Sequence, residues 1–145
     1  MGSNKISWTK QQAHVIDTRT GNLLVAAAAG SGKTAVLVER IIEMVLGVDS
    51  NGNKLPDQDR VNVDELLVVT FTNAAATQMK EKISAALQKK IDEYMANGIY
   101  DEHLIKQMTL INHAEICTID SFCLHIVKEY FAKVQLDSAF DIADK

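Results

Sequence analysis

Residues 27–34 read Ala27-Ala28-Ala29-Gly30-Ser31-Gly32-Lys33-Thr34. The stretch carries most of the phosphate-loop pattern G-x-x-x-x-G-K-[ST]. Gly32, Lys33 and Thr34 fill its last three places, and Ala27 stands where the first glycine is usual. The departure is harmless if position 27 needs no positive φ. Gly30 and Gly32 let the backbone curl so that N–H groups converge on an anion beside a helix N-terminus. In that chemistry Lys33 reaches the β- and γ-phosphates of a nucleotide, and the Thr34 hydroxyl ligates Mg²⁺.

The flanks fit the motif. Asn22-Leu23-Leu24-Val25-Ala26 is a short apolar run suited to a buried strand. From Lys33 to about Leu46 the spacing predicts a helix, with Leu37, Ile41 and Met44 on one stripe and Val38, Ile42 and Val45 on the next. So wide an apolar face is expected to pack against a sheet. Upstream, residues 8–17 read as a short helix capped by Thr9. Downstream, 47–63 holds Gly47, Asn51-Gly52 and Pro56 and reads as a surface loop. Leu66-Leu67-Val68-Val69-Thr70 is the best strand, and its continuous apolarity predicts a parallel strand covered on both faces.

A long amphipathic helix follows over about 73–95, closed by Asn97-Gly98, then a helix near 101–112. Residues 115–117 predict a short strand. A last helix is expected over 119–133, with Ile119, Phe122, Ile126, Tyr130 and Phe131 on one side. Strands alternating with helices imply an α/β fold with a parallel sheet flanked by helices.

Composition narrows the class. The chain has 145 residues, 47% apolar and 23% charged, with one proline and a net charge of −4. That describes a folded globular domain and excludes a uniformly basic nucleic-acid glove. Cys117 and Cys123 suit a reducing compartment and read as small buried hydrophobes. The four histidines are scattered and form no metal-ligand spacing. The first residues lack an apolar h-region, no run reaches membrane-spanning length, and a cytoplasmic location is expected. An Asn-Lys-x-Asp guanine-reading segment is absent, and three arginines are too few for a small-kinase lid.

Four segments together resemble the superfamily 1 DNA helicases of the UvrD/Rep/RecB type. Residues 28–34 resemble motif I, and Trp8-Thr9-Lys10-Gln11-Gln12 resembles the Q motif. Val69-Thr70-Phe71-Thr72-Asn73-Ala74-Ala75-Ala76-Thr77-Gln78-Met79 resembles motif Ia, and Thr118-Ile119-Asp120-Ser121-Phe122-Cys123 resembles motif Ib. Within that family residues 24–40 and 118–123 are closest to the branch that joins a helicase to a nuclease in DNA-break repair. The resemblance runs over nearly the whole chain.

It implies a P-loop, RecA-like domain that binds ATP and Mg²⁺ and moves on single-stranded DNA. Such a domain would act at DNA ends, away from any membrane, beside a second nuclease subunit. Gln12 would read adenine, because a carboxamide can accept from N6–H and donate to N7 at once. The nucleotide would lie on Gln12 and Ala27, Ala28, Ala29, Gly30, Ser31, Gly32, Lys33 and Thr34. Single-stranded DNA would meet Thr70, Phe71, Thr72, Asn73, Thr118, Ser121 and Phe122. Bottom-up alternatives stand beside these roles: strand-end and helix capping for the hydroxyls, core packing for Phe71 and Phe122. Lys80, Lys82, Lys89 and Lys90 read as a solvated face, with Lys82 a further DNA candidate. Helicases of this type are far longer. No counterpart of their Walker B acids, arginine fingers, second RecA-like domain or nuclease is found, since Ile116-Cys117-Thr118-Ile119-Asp120 makes a poor Walker B strand. The chain is therefore expected to be an N-terminal part of the ATP-binding domain over 1–145, with a helical insertion at about 84–114.

Overall fold

The computed structural model describes residues 7–28, 30–56, 60–133 and 135. Its helices begin where the sequence supplies caps. Helix α1 (Lys10–Asp17) starts at Thr9, whose Oγ1 accepts the Gln12 N–H at 3.2 Å while Gln12 Oε1 accepts the Thr9 N–H at 2.9 Å. That reciprocal pair satisfies two donors the helix cannot satisfy itself. Helix α2 (Lys33–Leu46) is bracketed by Gly32 and Gly47, both left-handed. A Cβ at Gly47 would also lie 3.2 Å from Arg60 Cβ. A short 3₁₀ turn (Val63–Glu65) leads into β1 (Leu67–Thr70). Then follow α3 (Asn73–Ala96), α4 (Glu102–Leu110), β2 (Glu115–Thr118) and α5 (Ile119–Glu129).

The class is α/β. The two described strands form a parallel ladder with Leu67 opposite Glu115 and Thr70 opposite Thr118. Parallel neighbours require a crossover, and α3 with α4 provides it. The core lies chiefly between helices: Val38, Ile41, Ile42 and Val45 of α2 meet Met79, Ile83, Leu87 and Ile91 of α3, with Leu104 and Ile111 beneath. The apolar face of α2 thus packs first on a helix, and the sheet joins only through half-buried Leu66, Val68 and Ile116.

Two polar connections tie down the outer layer. Arg60 donates to Asp101 Oδ2 at 2.7 Å and to the Val45 carbonyl at 3.0 Å. Gln107, fully buried, accepts the Val63 N–H at 2.8 Å and donates to Asn62 Oδ1 at 3.0 Å. A buried amide is tolerated because both its ends are bonded.

Four expectations are corrected. Residues 22–28 form no ladder and are exposed, Leu24 to 96%. An apolar run becomes a strand only when another strand satisfies its backbone, and neither described strand does so. Strand β1 is open on one face, with Leu67 and Val69 exposed. Helix α5 buries no residue, and Ile119, Ile126 and Tyr130 face outward uncovered. Cys123 is exposed and Cys117 only half-buried.

Candidate functional site

Two places gather the residues singled out in the sequence. The first is a cleft of about 580 Å³ between α1, the turn before α2, and α2 itself. Gln12, Ala27, Ala28, Ser31 and Lys33 line it, with Thr9, Val15, Val25, Val36 and Leu37. Gly30 and Gly32 adopt φ of 77° and 79°, which gives the turn its curl. Gln135 is the one non-glycine with positive φ among the described residues, so Ala27 serves without the freedom of a glycine. Ala29 lies outside the described residues, and Thr34 is on the first turn of α2 but not in the cleft lining.

The loop is tied across its own mouth. Lys33 Nζ donates to the carbonyls of Ala27 at 3.0 Å and Ala28 at 2.7 Å. The Ser31 N–H donates to the Ala28 carbonyl at 3.2 Å. The first-turn N–H groups of α2 have no intrahelical partner, and the helix dipole adds positive character there. An ammonium, unpaired helical donors and two left-handed glycines at one turn suit a polyphosphate. The donor set therefore fits the phosphate group the motif calls for.

Gln12 joins this loop directly. Its Nε2 donates to the Ser31 carbonyl at 3.4 Å while Oε1 accepts from Thr9. Each end of the carboxamide keeps one further hydrogen-bonding position, a donor and an acceptor side by side. Sequence reasoning missed what holds this helix: Arg40 of α2 donates to the Val15 and Ile16 carbonyls, and Arg19 donates to those of Ile16 and Val48. The available signal was spacing, since Arg40 follows Lys33 by two helical turns on the same side.

The second place is the carboxyl edge of the sheet. The register that sets Thr70 opposite Thr118 brings residues 70–73 and 118–122 together. Thr70 Oγ1 donates to the Thr72 carbonyl at 3.0 Å, and Thr72 Oγ1 caps α3 by accepting the Ala75 N–H at 3.1 Å. Thr118 is buried, and its Oγ1 accepts the Ser121 N–H at 3.2 Å. The hydroxyl thus caps α5, the alternative that stood beside its DNA-contact role. Phe71 is 96% exposed and packs into no core among the described residues. Asn73 and Ser121 are exposed and Phe122 half-buried. Among the described residues no group of three or more His, Cys, Asp or Glu could hold a metal, and no helix is long and apolar enough to cross a membrane.

A capped helix bonded through a glutamine to a glycine–lysine turn that suits an anion, ahead of a parallel ladder, defines the class as an α/β domain, and the family follows. The chain belongs to the UvrD/REP helicase N-terminal domain family, whose pattern matches residues 8–145. Its relatives are more particular. It is 51% identical over 141 residues to the ATP-dependent helicase/nuclease A subunit of Lachnoclostridium phytofermentans, covering 97% of this chain and 9% of that protein. It is 49% identical over 138 residues to the protein of that name from Clostridioides difficile, covering 95% and 10%. For the Clostridium beijerinckii protein of that name the identity is 46% over 145 residues, covering 100% and 10%. The chain spans about a tenth of the length of these relatives.

Proposed function

We propose that this chain is the ATP-binding portion of an AddA-like ATP-dependent DNA helicase/nuclease, a cytoplasmic enzyme of double-strand break repair and recombination. The observation that carries the reading is the cleft in which Gln12 and Lys33 meet one phosphate loop. ATP would place its phosphates on residues 27–34 and its adenine on Gln12, with Thr34 holding Mg²⁺. When bound, the nucleotide supplies the driving energy through hydrolysis of its γ-phosphate. The chain's own residues bind and orient it: Lys33 exchanges its bonds to Ala27 and Ala28 for phosphate oxygens, and the loop N–H groups share the remaining charge.

The two-stranded ladder belongs to a larger RecA-like parallel sheet. The exposed faces of Leu67 and Val69 and the exposed apolar run Leu23-Leu24-Val25 support this, because such surfaces are ordinarily covered. Residues 84–114 form a helical insertion. Single-stranded DNA, presented from duplex ends, runs over the carboxyl edge past Thr70, Phe71, Thr72, Asn73, Thr118, Ser121 and Phe122. An AddB-like second nuclease subunit completes the whole enzyme. A second reading has its own support: no Asp or Glu is among the twelve cleft-lining residues. This chain taken alone would then bind nucleotide without turnover.

The test is a titration with fluorescent ATP and GTP analogues plus Mg²⁺, on the chain and on Lys33→Ala. ATP binding that Lys33→Ala weakens at least about tenfold supports the reading. Equal binding by the variant, or none by the longest chain obtainable, overturns it.

A further inference from the structure

Helix α1 has only eight residues and is too short to hold its own position. Its place is set at the tail. Arg40, two helical turns beyond Lys33 on α2, donates through Nη1 to the Val15 carbonyl and, at 3.5 Å, to the Ile16 carbonyl. Arg19 also donates to the Ile16 carbonyl, and to that of Val48 at 3.2 Å. The Asp17 carboxylate accepts from the Ser50 N–H and hydroxyl, both at 2.7 Å. The last carbonyls of a helix lack intrahelical partners and carry partial negative charge, so guanidinium groups are their natural complement.

At the head of the same helix stands Gln12, bonded to Ser31 of the phosphate loop. Helices α1 and α2 are thus joined twice, at the loop by Gln12 and at the tail by Arg40. The tail joint is the stronger of the two. It uses a permanent cation and two carbonyls in a partly buried setting, whereas the Gln12 bond is neutral, long and exposed. Arg40 is not in the cleft lining, so it acts on a bound base only through α1.

We infer that Arg40 is a positioning residue for base recognition: it fixes α1 against α2 and so sets where the Gln12 carboxamide meets a nucleobase. The inference rests on the reading that Gln12 contacts adenine above the phosphate loop. The planar guanidinium holds the two carbonyls more rigidly than an ammonium on a flexible stem would.

The test measures affinities for ATP, GTP and inorganic tripolyphosphate, with Mg²⁺, on the full chain and on Gln12→Ala, Arg40→Ala, Arg40→Lys and the Gln12→Ala/Arg40→Ala double variant. Arg40→Ala is expected to weaken ATP about tenfold, the size of one lost good hydrogen bond, and to leave GTP and tripolyphosphate within about twofold. Arg40→Lys should recover part of the loss. The double variant should be no worse than Gln12→Ala, since both changes remove the same contact. If Gln12→Ala erases the ATP preference and Arg40→Ala keeps it, the Arg40 inference fails and the adenine reading stands. Equal losses for ATP, GTP and tripolyphosphate would also sink it, as a general loosening of the domain. If Gln12→Ala leaves the ATP preference intact, the adenine reading fails and takes the Arg40 inference with it. Should Arg40→Ala not fold, Arg40→Met, which keeps the stem without the donors, decides on the same criteria, with a retained ATP preference overturning the inference.

Discussion

Thr70 and Thr118 face each other at the last rung of the parallel ladder, and each strand passes there into a helix capped by a threonine. Thr72 caps α3 and Thr118 caps α5, so two helix N-termini open on one edge of the sheet. Neighbouring N-termini present backbone donors and positive dipole ends, which suits phosphates without selecting a base sequence.

Phe71 stands on that edge, 96% exposed, one residue past β1. A large apolar side chain so placed adds nothing to the core but can stack on an unpaired base. Phe71→Ala should weaken single-stranded DNA binding by roughly 1–3 kcal/mol, the usual worth of one stacked base. Its thermal unfolding should match the parent chain. Fluorescence anisotropy with a labelled oligonucleotide checks the first, and a melt in parallel checks the second. Unchanged DNA affinity would remove Phe71 from the DNA path.

How much of this could be read from residues alone follows from what each signal encodes. Helix starts were legible at Thr9 with Gln12 and at Thr72 because caps are local chemistry. The curled turn at Gly30 and Gly32 was legible for the same reason. Apolarity at Leu23, Leu24, Val25, Leu67 and Val69 was legible too, but apolarity reports a tendency to be covered and not what does the covering. A strand at 22–26 and a second buried face on β1 therefore did not follow. Arg40 escaped because its partners are backbone carbonyls on another helix, which have no sequence signature.

The two glycine positions of the loop pattern should respond oppositely. Gly32 has φ of 79°, and a Cβ there would lie 3.6 Å from Gln12 Nε2. Gly32→Ala forces an L side chain into the left-handed region at about 1–2 kcal/mol. It should lower nucleotide affinity by rotating the loop donors out of register. Ala27→Gly needs no such rotation and should bind nucleotide within about twofold of the parent, the limit set by a small backbone-entropy cost. Isothermal titration with ATP and Mg²⁺ on both variants decides the matter, and equal behaviour would contradict the loop geometry.

Asp101 joins two elements. Its Oδ1 caps α4 by accepting the Leu104 N–H at 3.0 Å, and its Oδ2 accepts from Arg60 at 2.7 Å. Burial alone would raise its pKa. The Leu104 N–H and the Arg60 guanidinium outweigh that and hold it below the ordinary aspartate value. A carboxylate with a depressed folded pKa stabilises the fold above its unfolded pKa, and this stability disappears as pH falls through the folded value. Asp101→Ala should cost about 2 kcal/mol at pH 7, combining a lost cap and a lost charged bond. The cost should shrink as pH falls through the lowered folded value, where the parent carboxyl is itself protonated. Urea unfolding at pH 7 and over an acid series measures both.

Glu43 behaves the other way. It is buried in the last turn of α2, and its Oε2 has no hydrogen-bond partner. Burial above all, with Glu39, Asp17 and Asp49 adding to it and Arg19 opposing, lifts its pKa to about 7. A raised carboxyl pKa means the protonated form suits the fold. The contribution is complete below the unfolded value near 4.5 and is lost as pH rises through about 7. Glu43→Gln keeps the shape of the protonated acid without its ionisation. It should match the parent chain at pH 4.5 and exceed it by on the order of 2 kcal/mol at pH 8. Chemical denaturation across pH 4.5 to 8 gives the difference curve. A flat curve would mean that Glu43 stays ionised at no cost, and that Arg19, whose own Nε has no partner, compensates it in full.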